Sequence, residues 1–321
     1  MRALLAVTCF PLVLSLTAGD YTRLDAGEAL VELLPAESRE VAVRAATGID
    51  TDPARLIQWT RRVEELNKGR YVVAIGRFSA PPRIEDVDGL SLDEGDLTDL
   101  RRCRPGKCGV KLNDAEIARM HDAIATAGGD WKATAQQTFR GIVLARAQDY
   151  LAGGHTPSAS YHDGKRPAQL HSEFAALASE VELTQPRLFP IVNYLSLYPK
   201  GEMPGVESFL YWSKESLGAK PIIGITHVAM IESTDAFVRE ALVAKKQVYA
   251  SHYVLASLSF TVINASPDAS RHYLVYLNRS RSDVFDGLFG GFIRRTIARR
   301  LRAEAPEALR VLRQRLESTP P

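Results

Sequence analysis

The sequence predicts an α+β protein, with an antiparallel sheet packed on a long C-terminal helix and a helical insertion in the middle of the chain. Apolar and polar residues alternate from Glu40 to Ile49 and through much of the last third, as in half-buried strands. Helical spacing dominates residues 90–204, and a long amphipathic stripe follows Asp283. Consecutive strands closed by one long helix are typical of α+β proteins, whereas a doubly wound parallel sheet needs strands and helices that alternate throughout.

Composition excludes several classes of protein. The 321 residues are 45% hydrophobic and 24% charged, which is ordinary for a folded chain. We therefore exclude a disordered chain, a polytopic membrane protein and a disulfide-dense miniprotein. The 40 basic and 38 acidic residues give a net charge of +2, so we expect no nucleic-acid partner.

The first 19 residues predict a cleavable signal peptide. Arg2 supplies a positive charge, Ala3–Leu16 is almost wholly apolar, and Thr17 and Gly19 place small residues three positions and one position before the cleavage point. The apolar run is shorter than the roughly 20 residues that a membrane-spanning helix needs. We expect a soluble periplasmic or secreted protein, and an uncleaved anchor is the alternative.

Two cysteines remain after the predicted leader. Cys103 and Cys108 flank Pro105-Gly106, a strong turn dipeptide that brings the flanking residues together. In an oxidising compartment this spacing favours a structural disulfide. A catalytic redox pair more often has two intervening residues, and a zinc site needs two further ligands. So short a loop predicts a bridge that fixes the turn more than the whole fold.

The predicted sheet domain comprises residues 20–89 and 205–304. In its first part Glu40–Ile49 is a strand, Asp52-Pro53 begins a helix that carries Trp59 and Val63 on one face, and Tyr71–Phe78 is a strand. In its second part three segments alternate as strands: Pro221–Glu232, Gln247–Asn264 and Arg271–Asn278.

Residues 90–204 form the predicted helical insertion. Asn113 and Glu116 have the spacing of a capping box. Longer helical stripes cover Trp131–Tyr150 and Leu170–Val181.

Two connections complete the prediction for the last third. Asn264–Asp268 is a ready hairpin connection. After Asp283 a long amphipathic helix begins, and we expect Pro306 to interrupt it, so that residues 305–321 form a separate basic tail helix.

The order of these elements resembles that of a known family of domains. Val41–Phe78 resembles the opening of a START-like or SRPBCC-type helix-grip domain, and Val248–Asn278 followed by Phe285–Leu301 is similar to its closing strands and long helix. The segments Glu207–Glu215 and Lys246–Tyr253 resemble parts of uncharacterised secreted bacterial proteins. The helix-grip resemblance implies a curved sheet around an apolar cavity for a lipid-like or aromatic ligand.

Two histidines stand out on otherwise apolar strand faces. In a strand expected to run from Val248 to Ile263, His252 shares its face with alternating apolar residues. His227 shares its face with Ile223 and Ile225. Each is either a core imidazole bonded to a backbone carbonyl or a polar anchor within a ligand cavity.

The leading functional hypothesis is therefore an exported protein that binds or carries a hydrophobic small molecule in an internal cavity, without a cofactor. The candidate ligand-binding residues are His227, His252, Tyr253, Tyr276 and Trp212, and the candidate apolar wall is Val254, Leu258 and Phe292. An enzyme that uses His227 or His252 as a general base is an alternative.

The sequence gives little support to other chemistry. His155, His162 and Asp163 share a polar loop, but no His-x-x-x-His pair places two ligands on one helical face, so we predict no metal site. A Gly-x-Ser-x-Gly elbow and a Gly-x-x-x-x-Gly-Lys phosphate loop are both absent from the sequence.

Arginines cluster in the predicted C-terminal helix. Arg294, Arg295, Arg299 and Arg300 create a local positive field that suits an anionic membrane surface or an acidic protein. The alternative is a solvated face opposite a buried stripe. A structural or partner-binding role in the cell envelope is thus a further hypothesis.

Overall fold

The structure is a computed structural model that describes residues 16–156, 159–216, 218–233, 240–265 and 271–320. Residues 1–15 of the predicted leader and residues 266–268 of the predicted hairpin connection lie outside the described residues. Within the described ranges, no helix combines the length and the apolar character needed to cross a bilayer.

The structure confirms the predicted α+β class. Its main sheet is curved, every neighbouring pair of strands is antiparallel, and among the described residues it has eight strands in the order β1-β2-β10-β9-β8-β7-β6-β3. In chain order these strands are β1 Leu30–Leu34, β2 Glu40–Ile49, β3 Val72–Arg77, β6 Glu207–Glu215, β7 Ile222–Glu232, β8 Glu240–Ala250, β9 Val254–Ala265 and β10 His272–Ser282. A small ribbon pairs β4 Ser160–Tyr161 with β5 Ala168–Gln169.

The helices lie before, between and after these strands. They are α1 Ala18–Asp25, α2 Ala54–Arg61, α3 Val63–Leu66, α4 Glu94–Arg102, α5 Asp114–Thr126, α6 Trp131–Gly153, α7 Leu170–Thr184, α8 Phe189–Leu197 and α9 Gly290–Glu317. The helices α4 to α8 fall in the middle of the chain, where the sequence predicts a helical insertion.

Helices cover both faces of the sheet. On β8, Ala241 and Val243 share a core with α2, α3 and α9, and we call this side the grip face. Leu242 and Ala244 point the other way and share a core with α1, α7 and α8. Farther along that second side, the helices α4 to α6 pack on β6, β7 and β8. We call the second side the insertion face.

The helix α9 connects distant parts of the sheet. Arg294 donates a 2.9 Å hydrogen bond to the carbonyl of Glu40 at the start of β2. Near the middle of the helix, Glu304 accepts a 3.0 Å hydrogen bond from the hydroxyl of Tyr71, directly before β3. The helix continues through Pro306, where the sequence predicts an interruption. Contacts on both sides of this proline support the helix although one backbone donor is missing.

The strand expected from Val248 to Ile263 is two strands. The strand β8 ends at Ala250 and β9 begins at Val254, so His252 lies in a tight connection in which Tyr253 has a φ of 60°. The strand β6 was not predicted either. Its residues from Phe209 to Lys214 are buried without a break, so the alternation of buried and exposed residues that marks a half-buried strand is missing.

Several local predictions are confirmed. Asn113 and Glu116 form the capping box of α5. The Cα atoms of Cys103 and Cys108 are 4.4 Å apart, which is disulfide distance. Gly106 lies between them with a φ of 79°, as the turn requires.

Candidate functional site

A cavity of about 370 Å³ lies on the grip face of the sheet. We call it the sheet cavity. It is lined by side chains of β6 to β10 and by residues beside them: Asn67, Tyr211, Ser213, Glu215, Ile222, Gly224, Thr226, Lys245, Gln247, Val254, Ser257, Ser259, Tyr276, Asn278 and Ser280.

Along β8 and β10, the residues on this face change from apolar to polar. On β8, Val243 packs in the core under the helices, whereas Lys245 lines the cavity. On β10, Leu274 is in the core and Asn278 lines the cavity. Alternation places these residues on the same side of their strands. The helices therefore cover the apolar part of the grip face, and its polar part forms the cavity wall.

Lys245 is the basic residue in this wall. Its Nζ atom lies 5.8 Å from the centroid of the Tyr211 ring, and it makes no hydrogen bond or ion pair within the described part of the chain. Burial lowers the pKa of Lys245, and attraction to Glu215 opposes that shift. The Glu215 carboxylate accepts a 2.8 Å hydrogen bond from Ser213. The cavity thus contains one group of each charge.

Hydroxyl and amide groups occupy the wall formed by β9 and β10. The Asn278 amide donates to Ser257 at 3.1 Å, the Ser257 and Ser280 hydroxyls are 2.8 Å apart, and Ser280 donates to the Asn278 carbonyl at 2.9 Å. Burial raises the pKa of Tyr276 to about 12, so its hydroxyl stays protonated near neutral pH. In the described residues the buried Oε1 atom of Gln247 has no hydrogen-bond partner.

The structure separates the residues that the sequence proposed as one site. Tyr276 and Val254 line the sheet cavity. Leu258 is buried in the core of the insertion face, and Phe292 of α9 is 66% exposed. The other four candidates, His227, His252, Tyr253 and Trp212, do not line the cavity.

His227 is enclosed on the insertion face. Its Nδ1 atom lies 2.9 Å from the hydroxyl of Tyr150, and its ring centroid is 4.4 Å from that of Tyr198. Its buried Nε2 atom has no hydrogen-bond partner among the described residues. Burial, with a smaller contribution from Lys246, lowers the pKa of His227 to about 3. This imidazole is therefore neutral near pH 7 and has little basicity.

His252 and Tyr253 join the insertion to the sheet. The Nε2 atom of His252 lies 3.0 Å from a carboxylate oxygen of Asp96, whose other oxygen is 2.9 Å from the ammonium of Lys220. The backbone N–H of Lys220 donates to the Tyr253 hydroxyl at 3.0 Å. These contacts fix α4 against the connection between β8 and β9.

Trp212 makes a further contact of this kind. Its indole N–H donates a 2.7 Å hydrogen bond to the carbonyl of Asp86, which lies in a 3-10 turn, Ile84–Val87, within the loop before α4. The ring occupies space beside Gly76 that a Cβ atom there would fill, since such an atom would lie 2.7 Å from the indole nitrogen. Trp212 is thus part of the packing of this loop.

Lys245 and Glu215 were missed as site residues. The sequence does carry a signal for them, because polar residues stand at every second position in four of the five strands β6 to β10. This pattern occurs at Tyr211-x-Ser213-x-Glu215, Lys245-x-Gln247, Ser257-x-Ser259 and Tyr276-x-Asn278-x-Ser280. Period-two polarity in several paired strands indicates one polar sheet face.

No group of three His, Cys, Asp or Glu side chains that could hold a metal ion occurs in the described residues. The chemistry that the cavity offers is hydrogen bonding from hydroxyls and amides, with one ammonium and one carboxylate. Comparisons with family models, with curated proteins and with solved structures each found no match to this chain.

Proposed function

We propose that this protein binds a small polar molecule in the sheet cavity and holds an anionic group of that molecule at Lys245. The observation that carries the proposal is the Lys245 ammonium in a cavity wall made largely of hydroxyl and amide groups. A charge-assisted hydrogen bond to a carboxylate would compensate for the partial burial of this ammonium.

The polarity of the wall selects the class of guest. A volume of about 370 Å³ is within the range of small-molecule sites, but such sites are usually lined by apolar side chains. A hydrocarbon guest would bury the polar groups of this wall without partners, which is costly. The lining therefore favours a polar guest over the lipid-like or aromatic ligand that the sequence predicts.

Other side chains in the cavity wall narrow the chemical class of the guest further. Glu215 and the Gln247 carbonyl are acceptors, so they suit hydroxyl or amino groups on the guest. The protonated Tyr276 hydroxyl is a donor. We assign the guest to small carboxylic acids that also carry hydroxyl or amino groups.

A ligand panel tests this proposal. The panel contains hydroxy and amino carboxylic acids, neutral sugars and dodecanoate, and thermal shift followed by calorimetric titration measures binding to the full chain. We expect a hydroxy or amino acid to bind, and Lys245→Met to weaken that binding by about tenfold or more, as for loss of a charged hydrogen bond. The exposed Lys165→Met variant is the matched control and should bind as the wild type does. Binding of dodecanoate alone, or of no panel member, would overturn the proposal.

The histidine general base that the sequence suggested gains no support from the geometry. A general base must lie within hydrogen-bond reach of a substrate proton. His227 and His252 contact Tyr150 and Asp96 on the side of the insertion, away from the sheet cavity.

We also propose that the chain is exported. The support is the pattern of residues 1–19 together with the Cys103–Cys108 pair at disulfide distance. Cleavage after Gly19 would remove Thr17, whose hydroxyl caps α1 by accepting from the Asp20 N–H at 3.2 Å. The mass of the chain recovered from its host tests this: we expect Asp20 as the first residue and no thiol that alkylates before reduction. A recovered chain that retains residues 1–19 would contradict export with cleavage.

A further inference from the structure

Three large apolar side chains are exposed where α9 begins. Leu288, Phe289 and Phe292 are 100%, 74% and 66% exposed. We call these three residues the apolar tip. Single exposed apolar residues are normal on protein surfaces, but a contiguous group marks an interaction site more often than it marks chance.

The surrounding segment is strongly basic. Residues 287–303 contain five arginines and no aspartate or glutamate. Arg294 donates to the carbonyls of Glu40 and Ala36, Arg300 pairs with Glu304, and Arg295 donates to the carbonyl of Gly291 one turn earlier in α9. Arg295, Arg299 and Arg302 are exposed.

Helical geometry places the exposed charges beside the tip. Phe292, Arg295, Arg299 and Arg302 are separated by three, four and three positions, so they follow one face of α9. An apolar helix end followed by arginines on the same exposed face is the arrangement found in segments that lie at a membrane interface.

A groove of about 340 Å³ opens beside the tip. Its walls include Leu33, Leu34 and Val41 from β1 and β2, and Arg294 and Arg295 lie on the α9 side. Apolar walls next to guanidinium groups match an amphiphile with an anionic headgroup, in which the apolar chain contacts the leucines and the phosphate contacts an arginine.

We propose that this end of the protein docks on an anionic lipid membrane. The apolar tip enters the interface between headgroups and acyl chains, and Arg295, Arg299 and Arg302 contact the lipid phosphates. The charge of the segment selects anionic lipid, because each arginine near such a surface adds to the attraction. This site lies outside the sheet cavity and does not depend on the proposed guest.

Cosedimentation of the full chain with vesicles tests the proposal. We expect binding to phosphatidylcholine vesicles that contain phosphatidylglycerol, weak binding to phosphatidylcholine alone, and loss of binding as NaCl is raised from about 0.1 M to about 1 M. Arg295→Glu with Arg299→Glu should weaken binding by at least about thirtyfold, since each basic residue contributes about 1 kcal/mol. The triple variant Leu288→Ser, Phe289→Ser and Phe292→Ser should also lose binding.

Matched variants at other exposed sites are the controls. Leu183→Ser removes another exposed leucine, and Arg102→Glu with Arg104→Glu makes the same charge change elsewhere. Both controls should bind as the wild type does. A Phe289→Trp variant keeps the tip apolar, and brominated lipid in anionic vesicles should quench the fluorescence of this tryptophan.

Several results would overturn the proposal. They are equal binding to both kinds of vesicle, unchanged binding in the triple variant, and absence of vesicle binding together with a dimer that the triple variant abolishes. The last result would assign the apolar tip to a second copy of the chain. Binding to an acidic protein without binding to vesicles would overturn it as well.

Discussion

The hydroxyl of Tyr71 donates a 3.0 Å hydrogen bond to the carboxylate of Glu304. Tyr71 directly precedes β3, which is an edge of the sheet, and Glu304 is in α9. Through Arg294, α9 also contacts Glu40 of β2, near the opposite edge. One helix therefore contacts the curved sheet near both of its edges, on the grip face. The sheet cavity lies on that face.

Loss of this contact should loosen the β3 edge. We expect Tyr71→Phe to increase amide hydrogen exchange in β3 with little effect in β9, and to lower the free energy of unfolding by no more than about 1 kcal/mol. Glu304→Gln keeps an acceptor for the Tyr71 hydroxyl and should leave exchange in β3 nearly unchanged. Equal exchange in β3 of the wild type and Tyr71→Phe would show that the contact does not hold the edge.

The buried His227 should make the protein sensitive to acid. Its pKa is about 3 in the folded chain and close to 6.5 when unfolded, so between these values the unfolded chain binds a proton that the folded chain does not. The free energy of unfolding should therefore fall as pH drops from 6.5 towards 3, by up to about 1.4 kcal/mol per pH unit. Urea unfolding of His227→Gln should show a shallower fall. An identical pH dependence in the wild type and in His227→Gln would contradict the assignment, and His272→Gln is the control.

Lys246 should make the stability of the protein depend on pH in the alkaline range. Its ammonium is buried on the insertion face, where it donates to the carbonyl of Leu195 at 2.8 Å and lies 4.0 Å from the Phe174 ring centroid. Burial lowers the pKa of Lys246 from 10.5 to about 7. Between these values the unfolded chain binds the extra proton, so this residue makes stability rise as pH rises above 7.

Replacement of Lys246 by Met should remove that rise. Urea unfolding at pH 7 and pH 9 gives the free energy of unfolding of Lys246→Met minus that of the wild type. This difference should be larger at pH 7 than at pH 9. The exposed Lys165→Met variant should follow the wild type. A stability difference between Lys246→Met and the wild type that does not change with pH would contradict the lowered pKa.

A buried ion pair joins β2 and β10. Arg279 and Glu40 are almost fully buried, and their charged groups are 2.5 Å apart. Arg279→Met should lower the free energy of unfolding by about 3–5 kcal/mol, because it leaves a buried carboxylate without its partner. The double variant Arg279→Met with Glu40→Leu should recover most of this loss.

The exposed pair Arg310 and Glu307 is the control for this cycle. Arg310→Met should change the free energy of unfolding little, because both charges remain in contact with water. Additive effects of the two buried substitutions would show that Arg279 and Glu40 are not coupled.

Local patterns were sufficient to predict many elements. The alternation of Glu40–Ile49 gives β2 with the same bounds, and the Asn113–Glu116 capping box marks the start of α5. The placement of His227 on an apolar face with Ile223 and Ile225 is also confirmed. These features depend on residues close together in the chain.

The site depends on relationships that are not local. Tyr150, the hydrogen-bond partner of His227, is 77 positions away in the chain, and the sequence does not tell which helices cover which face. Lys245 has the appearance of a surface lysine until its strand is placed between β7 and β9. The register of β6 to β10 is what brings the polar positions of these strands into one cavity wall.

The most direct test of the central claim is a crystal structure of the protein with a ligand identified from the panel. We expect the ligand in the sheet cavity, with its carboxylate within about 3.2 Å of the Lys245 Nζ atom. A ligand bound elsewhere, or a sheet cavity filled by the protein's own side chains, would contradict the claim.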